Sequence, residues 1–160
     1  METGQGIGSV HWHQGAIGCE VEVDAETGKV NVLQLTPCVF AGHVVNFRLC
    51  ELQLEGSSIF GFGQALFEEM VYDDRGQVIN QNLGDYNVPS FNDIPQKLCP
   101  LVLEHQTSEE LHGIGETLLP PVMAAIGNAV YNAVGVRIQD LPITPEKVLQ
   151  ELAGAVRAKR

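Results

Sequence analysis

Three glycines lie inside a helical pattern in the middle of the sequence, and they restrict the possible fold more than any other feature. From Cys50 to Met70, apolar residues recur at intervals of three and four, which predicts a helix. Gly56, Gly61 and Gly63 fall within this helix, where each costs about 1 kcal/mol relative to alanine. Their presence predicts that another backbone or a ligand approaches the helix closely.

Strand patterns precede this helix. Apolar and acidic residues alternate, a polar turn follows, and a second apolar run returns, so residues 16–36 are predicted to form a β-hairpin. Val30 and Val32 lie on one face of the second strand. Leu33 and Leu35 lie on the other face, which indicates either a bulge or a strand covered on both sides. We expect this second strand to be central in its sheet.

Shorter elements are predicted after the glycine-containing helix. They are a hairpin over 71–79, a loop over 80–97, a strand over 98–104, a helix over 121–134 and a last helix that begins after Thr144. Gly135 suits the C-terminal end of the helix over 121–134. Thr144 and Pro145 suit the N-cap and the first residue of the last helix. The sequence therefore predicts an α+β fold, in which β-hairpins and short strands pack with about three helices. We expect residues 1–160 to form a single domain.

The motif Gly113-Ile114-Gly115-Glu116 is the candidate functional loop. Its two glycines let the backbone turn, and it presents one carboxylate among apolar neighbours, just before a predicted buried helix. No lysine or arginine occurs between Lys97 and Arg137 to pair with Glu116 locally, so a general base is one interpretation. The alternative is a surface glutamate stabilised by the N-terminal amides of the following helix.

The charge balance excludes some function classes. Nine basic residues against 20 acidic residues give a net charge of −11, and no basic stripe is present to neutralise phosphates, so we expect no nucleic-acid partner. The sequence shows neither a signal-peptide pattern nor a membrane-spanning run, so we expect no membrane association and a cytoplasmic location.

Metal binding by cysteine and histidine is the less favoured alternative. The four cysteines contain no C-x-x-C pair, which argues against an iron–sulfur cluster or a zinc ribbon in this chain and favours reduced core thiols. His11 and His13 are spaced to share one face of a strand, and Cys19 or His43 would be further ligands. This spacing matches no closed ligand set.

Six groups of motifs follow one another along nearly the whole chain. They are Val21-Glu22-Val23-Asp24 with Thr27-Gly28-Lys29-Val30, Gln53-Leu54-Glu55-Gly56, Gly61-Phe62-Gly63-Gln64-Ala65-Leu66-Phe67-Glu68-Glu69, Gly113-Ile114-Gly115-Glu116, Ala125-Ile126-Gly127-Asn128-Ala129-Val130-Tyr131, and Gly135-Val136-Arg137-Ile138 with Leu141-Pro142-Ile143-Thr144-Pro145-Glu146. In this order they resemble the C-terminal part of the molybdopterin-binding subunit of the xanthine dehydrogenase and aldehyde oxidase family, the molybdenum hydroxylases.

This resemblance implies roles for specific residues. The glutamate of the glycine motif is the catalytic base in that family, which carries over to Glu116, and the glutamine of the Gln-x-Glu-Gly motif hydrogen-bonds the pterin, which carries over to Gln53. The backbone of Gly113, Ile114 and Gly115 is then expected to border the cofactor. The helix glycines would make room for this ligand. The implied reaction is hydroxylation of an aldehyde carbon or of a carbon beside a ring nitrogen, with water as the oxygen source.

The resemblance also implies partners, because the family's molybdenum-binding portion is several times longer than this chain. We expect the molybdenum cofactor, molybdopterin, with the cytosine dinucleotide form as one candidate, to bind between this chain and the remainder of the subunit. The 2Fe-2S and FAD groups are expected only on other chains or domains, and the isolated chain is expected to be inactive. The alternative is a non-catalytic assembly domain that keeps the fold.

Overall fold

The structure is a computed structural model that describes residues 13–107 and 109–158. Three helices and a four-stranded mixed sheet lie within that part of the chain, which confirms the α+β class. The elements in chain order are β1 Gly15–Val23, β2 Val30–Gly42, α1 Phe47–Leu66, β3 Lys97–Leu98, β4 Leu101–Glu104, α2 Leu119–Val134 and α3 Pro145–Ala158.

Strand β2 organises the sheet. β1 pairs with it in antiparallel orientation, from Gly15 opposite Val39 to Val23 opposite Val30, so the first predicted hairpin is confirmed. β3 and β4 both pair with β2 in parallel orientation. β2 is therefore the central strand, as its sequence pattern predicts.

A β-bulge at Leu33 explains the mixed pattern of β2. Val21 of β1 lies opposite Val32, whereas the residue before Val21 lies opposite Gln34, so Leu33 has no partner in β1. One extra residue shifts the alternation of faces by one position. As a result Val32 and Leu35 are both buried in the same core cluster. Of the two alternatives for this strand, the bulge accounts for the pattern.

Helix α1 lies where it is predicted but begins and ends earlier than residues 50–70. Asn46 caps its first turn, because its Oδ1 accepts a hydrogen bond from Leu49 N at 3.1 Å. At the other end, the backbone N–H groups of the two residues that follow the helix both donate to Gly63 O. This shared acceptor ends the regular helical bonding before the predicted limit.

The predicted strand over 98–104 is divided into β3 and β4. Pro100 lies between them, and its missing N–H prevents a continuous ladder with β2. The predicted hairpin over 71–79 is reduced to an isolated bridge between Tyr72 and Val78. The predicted loop that follows it is confirmed up to β3.

Two clusters of buried apolar residues form the core of the part of the chain that the structure describes. The main core contains residues from β2, from all three helices and from the segment before α3: Val32, Leu35, Phe62, Ala65, Val122, Ile126, Val130, Ile143 and Val148. The small core contains Val39, Leu54 and Leu118, with Val102 and Ile114 packed against it.

The predicted end of α2 and the predicted start of α3 are both confirmed, whereas α2 begins at Leu119, two residues before its predicted start. Gly135 ends α2 in the left-handed conformation with φ of 74°. Thr144 Oγ1 accepts from Lys147 N at 3.4 Å and caps α3. None of the helices in the described part of the chain is long and apolar enough to cross a membrane.

Candidate functional site

The candidate functional loop, residues 113–116, is held at both ends. Before it, Leu111 forms a bridge with Gly42 at the end of β2, and His112 N donates to the carbonyl of the preceding β2 residue at 3.1 Å. After it, Leu118 is fully buried in the small core. The loop therefore connects two fixed points of the fold.

Within the loop, side chains point to different surroundings. Ile114 is half-buried and packs against the small core, whereas Glu116 is exposed. The prediction that Glu116 lies among apolar side chains is wrong for this chain. Its apolar neighbours in sequence, Ile114 and Leu118, pack in the small core instead of around the carboxylate. Gly113 and Gly115 are also exposed, so the loop presents backbone and one carboxylate to its outer side.

Gln53 of α1 reaches this loop. Its Nε2 donates a hydrogen bond to Gly115 O at 2.7 Å, which joins residues 62 positions apart in the sequence. The amide oxygen of Gln53 remains as an acceptor at an exposed position. The structure thus brings together the two motifs that supplied the predicted site residues.

Open space lies beside this hydrogen bond. A Cβ atom built on Gly56, one helical turn after Gln53, or on Gly115 would meet no atom within 4 Å. The same side of α1 exposes the apolar side chains of Leu49, Leu52 and Phe60, which are 62%, 46% and 57% exposed. We call the surface formed by these residues, Gln53, Gly56 and the loop the α1 outer face.

The α1 outer face is unusual for a surface helix. The opposite side of α1 is already buried, through Leu54 and Phe62 among others, so the helix is apolar on both sides. A helix that is apolar all round is normally buried on all sides. Exposed apolar area with a few polar groups, beside unfilled space, has the character of one side of a ligand site.

The other two glycines of α1 do not serve a ligand, which corrects the sequence-based expectation. A Cβ on Gly61 would lie 2.6 Å from Leu119 O and 2.7 Å from Val122 Cβ, so Gly61 permits close contact with α2. A Cβ on Gly63 would collide with Glu68 and lie 3.1 Å from Pro89. Only Gly56, among these three, borders open space.

Three further residues lie beside the loop without having been predicted to do so, since the sequence indicates His13 only as a candidate metal ligand. His13 Nδ1 and Thr117 Oγ1 form a hydrogen bond of 3.0 Å across 104 positions. Nδ1 of His112 is buried and has no hydrogen-bond partner in the described part of the chain. No local sequence pattern identifies these residues, because their surroundings depend on how distant segments of the chain meet.

The metal-site alternative is not supported by the geometry. His11 lies outside the described residues, and His13 bonds Thr117. His43 Nδ1 lies 3.6 Å from Glu104 Oε1. Burial raises the pKa of Cys19 to about 11, which disfavours the thiolate that a metal requires. Over residues 13–107 and 109–158, no group of three or more histidine, cysteine, aspartate or glutamate side chains is arranged to hold a metal.

All four cysteines are free, and the expectation of core thiols is met only in part. Cys19, Cys38 and Cys50 are half-buried, whereas Cys99 is exposed.

The chain is similar in sequence to subunits of known enzymes. The chain is 38% identical over 141 residues to the aldehyde oxidoreductase molybdenum-binding subunit PaoC of Escherichia coli K12, covering 86% of this chain and 19% of that protein. It is 39% identical over 149 residues to the xanthine dehydrogenase molybdenum-binding subunit of E. coli O157:H7, covering 88% and 20%. The chain thus spans about a fifth of the length of these relatives.

Solved structures show the same fold. Quinoline 2-oxidoreductase from Pseudomonas putida 86 matches with a TM-score of 0.75 and 31% identity, over 83% of this chain and 18% of that one. Aldehyde oxidoreductase from Desulfovibrio gigas matches with a TM-score of 0.74 and 34% identity, over 84% and 15%.

The model of the molybdopterin cofactor-binding domain family matches residues 1–95, a range that includes Gln53 and ends before Glu116. This match covers more than half of the chain. The chain therefore belongs to the molybdopterin cofactor-binding domain family, and it corresponds to a part of the molybdenum-binding subunits of the xanthine dehydrogenase and aldehyde oxidase type.

Proposed function

We propose that this chain forms the glutamate-bearing side of a molybdopterin site in a molybdenum hydroxylase. The observation that carries the proposal is the 2.7 Å hydrogen bond from Gln53 Nε2 to Gly115 O, because it brings the two site motifs to one exposed surface. The open space at Gly56 and Gly115 fits a ligand beside them. The residues present therefore suit one side of the cofactor.

The proposal assigns each residue a role. The amide oxygen of Gln53 accepts a hydrogen bond from a pterin N–H group while its nitrogen holds the loop. Gly113, Ile114 and Gly115 present backbone to the cofactor, since the Ile114 side chain is used in the small core. Glu116 is the general base, and it accepts a proton from the oxygen that attacks the substrate carbon. When bound, the cofactor supplies the two-electron oxidation of that carbon.

The remainder of the molybdenum-binding subunit completes the site in this proposal. It covers the α1 outer face and gives Glu116 the apolar surroundings that this chain alone does not provide. Substrates are aldehydes or N-heterocycles, which agrees with relatives named for aldehyde and xanthine oxidation. Iron–sulfur and flavin subunits carry the electrons away from the cofactor. The cytosine dinucleotide form of molybdopterin is the first candidate to test as the bound form.

Molybdenum content tests the cofactor part of the proposal. The 160-residue chain purified alone should contain no stoichiometric molybdenum, since it contacts the cofactor on one side only. Co-expressed with the remainder of the subunit, it should contain molybdenum. In that complex Gln53→Ala should lower occupancy, because a pterin group left unpaired costs about 1–3 kcal/mol.

Gln81→Ala is the matched control, because Gln81 is also exposed and also donates its side-chain amide to a backbone carbonyl, that of Val78. Its molybdenum content should match that of the parent complex. Stoichiometric molybdenum in the chain alone, or equal occupancy in the Gln53→Ala complex, would contradict the proposed site. A complex that holds no molybdenum at all would favour a non-catalytic assembly domain.

A further inference from the structure

The segment that carries Glu116 is attached to the start of β1 as well as to α1. Thr117 follows Glu116 directly, and its Oγ1 lies 3.0 Å from His13 Nδ1. Glu116 therefore lies between two tethered neighbours, since the carbonyl of Gly115 is already bonded by Gln53.

Thr117 also closes the loop on itself. Its hydroxyl donates to Gly113 O at 3.5 Å, at the long end of the hydrogen-bond range. A threonine hydroxyl has one hydrogen, so donation to Gly113 leaves its oxygen to accept from His13 Nδ1–H. This arrangement is a short chain of hydrogen bonds from His13 through Thr117 to the first residue of the loop.

Packing supports the same contact. A Cβ on Gly15 of β1 would lie 3.0 Å from the Thr117 methyl Cγ2, so glycine at this position leaves room for the threonine. On the other side, a Cβ on Gly113 would lie 3.6 Å from the His13 ring. The hydroxyl and the methyl of Thr117 are thus both in contact with the segment that begins β1.

We propose that His13 and Thr117 are positioning residues for Glu116. They act through the loop backbone and need no contact with substrate. The proposal rests on the proposed function of Glu116 as the base. Its physical reason is that a catalytic group must be held near its productive geometry, and a misplacement of about 1 Å costs up to about 100-fold in rate.

The decisive variant is Thr117→Val, which keeps the packing volume and removes the hydroxyl. In the 160-residue chain, we expect 15N relaxation order parameters of the Gly113, Gly115 and Glu116 amides to fall from about 0.85 towards 0.6. In the assembled enzyme, we expect kcat to fall about tenfold with unchanged KM and molybdenum content. Thr117→Ser restores the hydroxyl and should restore both readouts.

His13 is tested in the same way. His13→Phe keeps a ring beside Gly113 without the hydrogen bond and should reproduce Thr117→Val, whereas His13→Asn places an amide near the Nδ1 position and should retain function. Thr36→Val is the matched control, because it removes a hydroxyl that accepts from Gln34 Nε2 at 3.0 Å in β2. It should change neither readout.

Each outcome decides the proposal. Unchanged order parameters in both Thr117→Val and His13→Phe overturn it, whatever happens to turnover. Increased loop motion with unchanged kcat also overturns it, since the contact would then order the loop without positioning the base. Full activity of Glu116→Gln would instead refute the proposed function of Glu116, and the relaxation measurement on the chain alone would still report whether the contact holds the loop.

Discussion

Replacing Gly61 by alanine should destabilise the chain, although alanine is the better helix former. The added Cβ would lie 2.6 Å from Leu119 O and 2.7 Å from Val122 Cβ, and real Cβ contacts of this length are essentially absent. Leu119 O is a backbone atom, and Val122 is fully buried in the main core. Neither can rotate away, so α1 and α2 must separate.

The magnitude follows from a comparison within the same helix. Gly→Ala in a helix interior gains about 1 kcal/mol from propensity alone. Gly56→Ala should show this gain, because its Cβ meets no atom within 4 Å. Gly61→Ala has the same gain but adds an overpacking cost of about 1–3 kcal/mol. The two variants should therefore differ in unfolding free energy by about 1–3 kcal/mol, with Gly61→Ala the less stable.

Urea unfolding of the 160-residue chain, followed by circular dichroism, measures this difference. With m-values equal within error, the midpoints convert directly into free energies. Equal stability of the two alanine variants would show that α1 and α2 are not in close contact at Gly61. Stabilisation by Gly61→Ala would refute the packing described for this helix pair.

Three shorter predictions follow from other parts of the structure. Asn46→Ala should lower the free energy of unfolding by about 1 kcal/mol in the same assay, since it removes the N-cap of α1, whereas Asn46→Asp should not. At pH 8, iodoacetamide should label Cys99 well before Cys19, because with a pKa of about 11 only about one Cys19 thiol in a thousand is ionised. Labelling of Cys19, measured by mass spectrometry, should rise as the pH approaches 11. Gly56→Leu should leave the isolated chain folded but lower the molybdenum content of the complex, because the leucine side chain fills the space beside Gln53. Unchanged molybdenum content would show that the α1 outer face does not face the cofactor.

Elements governed by local periodicity could be predicted from the sequence. Strand β2 is an example, because apolar residues on both of its faces indicated either a bulge or a strand covered on both sides, and the structure has a bulge at Leu33. The ends of α1 could not be placed as well, since they depend on the Asn46 side chain and on the shared acceptor Gly63 O. Single hydrogen bonds decide where a helix is capped, and the spacing of apolar residues does not predict them.

The sequence supplies hypotheses for the residues of the candidate site but not for the contacts between them. Gln53 and Glu116 were selected by motif resemblance, and the structure adds that Gln53 bonds the loop that carries Glu116. The sequence did not distinguish the two α1 glycines that pack against other protein atoms, Gly61 and Gly63, from Gly56, which faces open space, because all three have the same sequence signature. The contact between His13 and Thr117 was missed for a similar reason, since 104 positions separate the two residues.

The most direct test of the central claim is the turnover of Glu116→Gln in the complete complex, measured by single-turnover reduction with a panel of aldehydes and N-heterocycles. The amide keeps the shape of the side chain but cannot take up a proton, so the proposal predicts unchanged folding and molybdenum content. Turnover should fall by about 10²- to 10⁴-fold, the usual contribution of a positioned base. Turnover equal to that of the parent, with full molybdenum content, would contradict the claim that Glu116 is the base.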